Sequence, residues 1–222
     1  MQSFFTTFHF NYGVMRLLFT TILSFCFVAV NAQPKPKTIF ECTVEFSALK
    51  NDSKNSDTLS QTAMVVYIRN NLSRVDYINQ SFIQKKIYDT KRNAGVILQE
   101  LGTVKVMRNV DSLKWLELNR RYEDASISYS NESKTILGYE CKRATIVLRD
   151  SSKFDVYYAP QIIPSTTAYE FQFRNIPGFV LEYETIATGS AERISYRATK
   201  LNLSPVPVSR FEIPKDGYRV IN

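Results

Sequence analysis

The stretch TAMVVYIRNNLSRVDYIN, residues 62–79, decides the fold. Met64, Val66 and Ile68 fall on one side of an extended chain, because successive side chains in a strand point to opposite faces. After the polar turn RNNLS (69–73) the alternation resumes, with Val75 and Tyr77 opposite Arg74 and Asp76. Two such runs joined by a short polar turn predict an antiparallel hairpin with one buried face.

The same period continues in both directions. TIFECTVEFSAL (38–49) sets Phe40, Cys42, Val44 and Phe46 against Ile39, Glu41, Thr43 and Glu45. FIQKKIYD (82–89), AGVILQEL (94–101), TVKVMRNV (103–110) and LKWLELN (113–119) read as further strands. So do residues 141–149, 153–158, 179–187 and 192–203. YDTKRNAG (88–95) is a polar turn, and Pro177–Gly178 in NIPGF suits the centre of a type II turn. The best helical candidate is the short, serine-rich YEDASISYSNES (122–133). No βαβ rhythm, interior linker or fixed repeat is present. The expectation is a mainly β chain, a single antiparallel sheet with little helix. A sheet of some nine strands must twist and curl, which creates an apolar concave face that needs a filler.

Domain organisation follows from the N-terminus. Met15 and Arg16 precede LLFTTILSFCFVAV, a run without charge, and then NAQPKPK. This is the layout of a secretory signal, with cleavage expected after Ala32 and Val30 three positions before the cut. The apolar run is short for a spanning helix, so no transmembrane segment is expected after cleavage. LSFC (23–26) does not make a lipoprotein signal, because Phe25 is too large before the cysteine. Met15 is an alternative start. Residues 1–32 are therefore read as a signal peptide and 33–222 as one antiparallel β domain.

Composition narrows the function. The 222 residues carry 28 basic and 21 acidic groups, net +7, without a basic block, which argues against nucleic-acid binding. The lone histidine, His9, precedes the signal core, so the mature chain has none. Histidine-based catalysis and histidine metal sites drop out. No phosphate-cradling glycine loop is present. Glu182 and Glu184 share a strand face, but alternation with Leu181 and Tyr183 explains them as a solvent face. Trp115 and Leu116 read as core residues before a sugar platform. Five N-x-S sequons, at Asn51, Asn71, Asn79, Asn131 and Asn202, matter only in a eukaryotic secretory pathway. The expectation is no catalytic residue, no cofactor and no metal. Cys42 and Cys141 are the two mature cysteines, and export leaves two readings open: a disulfide or two buried thiols.

TILGYECKRATIVL (135–148) followed by KFDVYYAP (153–160) resembles a characteristic segment of the GLPGLI family. The family's name motif corresponds to NIPGFVLEYE (175–184), where the turn Ile176–Pro177–Gly178 keeps the Pro-Gly pair but not the leading glycine or the two leucines. LSRVDY (72–77), IYDTKRNAGVILQELG (87–102) and FEIPKDGYRVI (211–221) resemble a related uncharacterised periplasmic family. The resemblance implies a LolA-like half-barrel, exported to the periplasm or associated with the outer membrane of Bacteroidota. It implies a non-enzymatic carrier for a hydrophobic or amphiphilic, lipid-like ligand in the concave face. The alternative is a structural or interaction protein, with an envelope protein partner and a self-filled core. No catalytic residue carries over.

Overall fold

The computed structural model describes residues 35–50, 62–79, 82–186 and 193–221. The signal segment and its cut at Ala32 lie outside the described residues. Fourteen strands and one α-helix are formed there: β1 Lys37–Ile39, β2 Glu41–Lys50, β3 Thr62–Arg69, β4 Leu72–Ile78, β5 Phe82–Asp89, β6 Ala94–Leu101, β7 Val104–Val110, α1 Ser112–Asn119, β8 Ser126–Ile136, β9 Tyr139–Val147, β10 Lys153–Ala159, β11 Ile162–Pro164, β12 Phe179–Ile186, β13 Arg193–Asn202 and β14 Arg219–Ile221. Short 3-10 turns occupy Arg120–Tyr122, Phe171–Phe173 and Val208–Phe211.

Twelve strands form one open sheet in the order β14-β7-β6-β5-β4-β3-β2-β13-β12-β10-β9-β8, not closed into a barrel. Its neighbours are antiparallel except β14 against β7. The mainly β, mostly antiparallel expectation holds, with two additions. There are more strands than expected, and a separate parallel pair joins β1 to β11.

The predicted hairpin 62–79 is β3 and β4, with Val66 opposite Val75 and Arg69 opposite Leu72. Met64, Val66, Ile68 and Val75 all enter the main core, as the alternation requires. The strand read over 38–49 instead breaks at Phe40. Ile39 turns inward with β1, and Phe40 is left 58% exposed. Backbone explains the break: Ser165 donates its N–H to Ile39 at 2.9 Å, drawing β1 away to β11.

Two element readings are corrected. LKWLELN is the helix α1, not a strand. Asp111 caps it by accepting from the Lys114 N–H at 2.8 Å, satisfying a donor that a helix start leaves free. Leu116, read as core, is 50% exposed, whereas Trp115 is buried and stacks on Tyr88 with centroids 4.3 Å apart. The helical candidate 122–133 is instead mostly strand. From Ser126 it forms the edge strand β8, paired to β9 with a bulge between Tyr129 and Ser133.

The Pro177–Gly178 turn is also corrected. A type II turn needs positive φ at its third position. Among the described glycines φ is positive at Gly102, Gly138 and Gly217, and not at Gly178. Its N–H bonds Ile176 O at 2.9 Å, closing a γ-turn about Pro177. Glycine is needed there for space: a Cβ would stand 2.5 Å from the Ala159 carbonyl oxygen.

Candidate functional site

The inward face of the sheet is the candidate site, since it is where a curled sheet can hold a guest. Its central and β8-side strands contribute apolar side chains. Val44, Phe46, Met64, Val66, Ala144, Ile146, Val156, Leu181 and Tyr183 belong to one buried cluster. Two chain segments reach into this face. The connection between β11 and β12 contributes Tyr169, Phe173 and Ile176, each 6% exposed or less. Phe173 meets Tyr183 edge-on at 5.0 Å, and Tyr169 stacks on Phe179 at 5.7 Å. The second segment runs from β7 to β8 and contributes Trp115 and Tyr122. Arg174 ties the two together. Its guanidinium donates to the carbonyl of Tyr122 at 2.7 Å and to that of Glu123 at 2.5 Å. Such charge-assisted contacts to backbone oxygens are stronger than neutral ones.

A polar group lies at the β4–β5 side of this filling. Glu170, from the same connection, accepts from the Tyr77 hydroxyl and from Lys86 Nζ, the latter at 3.3 Å. Lys86 also sits over the Tyr77 ring at 4.9 Å. Register explains the meeting: Lys86 pairs with the core residue Val75, so both face inward. Burial pushes the Glu170 carboxyl up to about 8 and the Lys86 ammonium down to about 8. Burial disfavours the charged form of either group, and their mutual attraction opposes it. Neither residue was singled out from sequence. A lysine pair in an alternating strand, QKK at 84–86, was the available signal, because one of two adjacent lysines must face inward.

Over β4–β6 the outward face is a second buried cluster, in which Val206 and Phe211 cover Ile87, Val96 and Leu98. Over β8–β13 it is a ladder of charge pairs. Glu182 accepts from Lys134 Nζ and from Arg197 Nε, and Glu184 pairs with Arg193 at 3.1 Å. Arg143 bridges Glu132 at 2.5 Å and Asp155 at 2.7 Å. Glu182 and Glu184 are thus ion-paired solvent-face residues. Two clefts among the described residues are open and charged. One, about 760 Å³, is lined by Arg120, Arg121, Glu123, Asp124, Arg149 and Asp150. The other, about 390 Å³, includes Arg143, Lys153, Asp155 and Arg193.

The remaining residues singled out from sequence sit in the packing. Cys42 and Cys141 are both buried and both free. Burial raises their thiols to about 12 and about 11, so neither is a thiolate at neutral pH. Ile176–Pro177–Gly178 closes the β11–β12 connection against β10. Among the described residues no cluster of His, Cys, Asp and Glu could hold a metal ion, and no helix is long and apolar enough to cross a membrane.

No family model matches the chain, and no curated protein matches it. Among solved structures it is similar to PNGF-II in a C2 crystal form, at 11% identity and a TM-score of 0.47, over 81% of this chain and 30% of that one. The P21 form of PNGF-II gives 11% identity and a TM-score of 0.47, over 82% and 31%. MucB in complex with MucA(peri) is similar at 8% identity and a TM-score of 0.33, over 82% and 57%. The chain thus spans 30% to 57% of the length of these neighbours.

Proposed function

We propose that this chain is an exported, non-enzymatic interaction protein of a bacterial cell envelope, with a core filled by its own side chains. The observation that carries the reading is the occupant of the inward face. Tyr169, Phe173 and Ile176 take the place where an acyl chain would lie in an open carrier. An apolar guest of that size would have to displace these side chains, whose burial contributes about 1.5–3 kcal/mol for each large residue. The two charged clefts suit polar contacts rather than lipid tails.

Three further features support the reading. The sequence has the layout of an export signal before Ala32. The GLPGLI-like segments point to the periplasm or the outer membrane. On α1, Leu113 is 76% exposed and Leu116 50%, apolar area of the kind that a protein partner covers. Native mass spectrometry of the protein purified from its own envelope tests the proposal. A protein partner at fixed stoichiometry, without lipid adducts, is the expected result. A one-to-one lipid adduct surviving purification would restore the carrier reading.

A further inference from the structure

We propose that the inward face of β5–β7 is a binding site for a carboxylate, anchored by Arg108. The site does not depend on the interaction-protein reading. Register places its members. Val75, Lys86, Ile97 and Arg108 form one row across β4, β5, β6 and β7. Val75 belongs to the main core, so Arg108 faces inward with it. Tyr77, Gln84, Gln99 and Val106 form the adjoining row on the same face. A patch of Arg, Lys and two Gln side chains therefore lies beside the apolar filling. All four residues are half-buried, with the Arg108 Nε itself enclosed.

The two cations on this floor are not equivalent. Lys86 is already paired with Glu170. Arg108 pairs with no carboxylate among the described residues, and its Nε is buried without a hydrogen-bond partner. A buried donor left unpaired costs about 1–3 kcal/mol, and more when charged, so such a group calls for an occupant. Gln84 and Gln99 likewise make no side-chain hydrogen bond among the described residues, which leaves two amides free to donate. Arg219, paired with Val106 at the sheet edge, is exposed and adds a solvated positive charge.

A guanidinium fork matches a planar carboxylate through two parallel hydrogen bonds. Lys86 is already held by Glu170 at 3.3 Å, so the Arg108 guanidinium is the group left to be met. Its single charge is balanced by one carboxylate, whereas a phosphate monoester brings close to two negative charges. Ile97 and Val106, between the polar positions, suit a carboxylate carried on an apolar stem.

The test is the Nε–Hε cross-peak of Arg108 in ¹⁵N-labelled full chain, assigned by its loss in Arg108→Lys. Sodium acetate, inorganic phosphate and sodium chloride are titrated at matched ionic strength. The expected result is a saturable shift of this cross-peak with acetate, not with chloride, while other arginine cross-peaks stay put. Gln99→Leu keeps the cross-peak and weakens acetate binding about fivefold, the loss of one hydrogen bond. Should Arg108→Lys not fold, Gln99→Leu still decides: the cross-peak whose acetate response weakens is that of Arg108, and no weakening at any cross-peak overturns the site. A linear or absent acetate response also overturns it. Saturation by phosphate but not acetate overturns the assignment of a carboxylate.

Discussion

The Tyr183 hydroxyl on β12 donates to Sδ of Met64 on β3 at 3.4 Å, although β2 and β13 lie between their strands. Strands spaced about 4.8 Å apart put these backbones about 14 Å from one another in a flat sheet. Side chains stand roughly perpendicular to a sheet, so the pair meets because the sheet curls toward it. Phe46 and Tyr183, two strands apart, meet edge-on at 6.3 Å for the same reason. The curl creates the hollow, and the β11–β12 connection fills it.

Phe173 is the deepest test of that filling. It is 2% exposed and packs on Tyr183 and Tyr169. Phe173→Ala should cost about 3–5 kcal/mol, the sum of lost transfer energy and a cavity. Urea denaturation measures it. A loss below about 1 kcal/mol would mean that the connection does not hold the core together.

The β8–β9 hairpin contains a correctable strain. Leu137 (φ 51) and Gly138 (φ 81) both lie in the left-handed region, the geometry of a type I′ turn. Glycine adopts it freely and leucine does not, at roughly 1–2 kcal/mol. Leu137→Asn should therefore raise stability by about 1 kcal/mol and the Tm by about 2–4 °C. A lower Tm would show that the exposed leucine makes a contact worth more than its strain.

Two glutamates should move stability in opposite directions with pH. Hydrogen bonds from Tyr218 and Lys85 hold Glu100 at about 2, below its ordinary 4.5. Its contribution is present above pH 4.5 and is lost as pH falls through 2. Burial raises Glu170 to about 8, so its contribution is complete below pH 4.5 and is lost as pH rises through 8. Denaturation curves across this range should show Glu100→Gln less stable than wild type at pH 7 and converging with it near pH 2. Glu170→Gln should match wild type in acid and exceed it above pH 8. Parallel curves for all three proteins would contradict both assignments.

Much of the fold was legible because burial and alternation coincide in β2, β3 and β6. The hairpin 62–79 needed no tertiary information beyond one buried face. Other elements gave no such signal. α1 buries Trp115 but exposes Leu113, Leu116 and Leu118, so no apolar stripe marks it as helical. β8 is an edge strand with most residues exposed, which removes the alternation that would have identified it. Glu170 lies 93 residues from Tyr77 and 84 from Lys86, and a loop glutamate carries no local sign that it will fold back on two strands.

The cysteines offer a chemical check. Cys42 and Cys141 are each 0% exposed, and burial raises both thiols. Iodoacetamide should leave both unmodified in the folded protein at neutral pH and label both after denaturation without reductant. Labelling before unfolding would contradict their burial. No labelling after unfolding would reveal a disulfide.

The filled hollow is tested most directly by displacement titration with a fluorescent fatty acid. The self-filled core predicts no saturable binding, since Tyr169, Phe173 and Ile176 already occupy the inward face. Saturable binding of one acyl chain per protein, abolished by crowding that face with a larger side chain at Ala144, would contradict it.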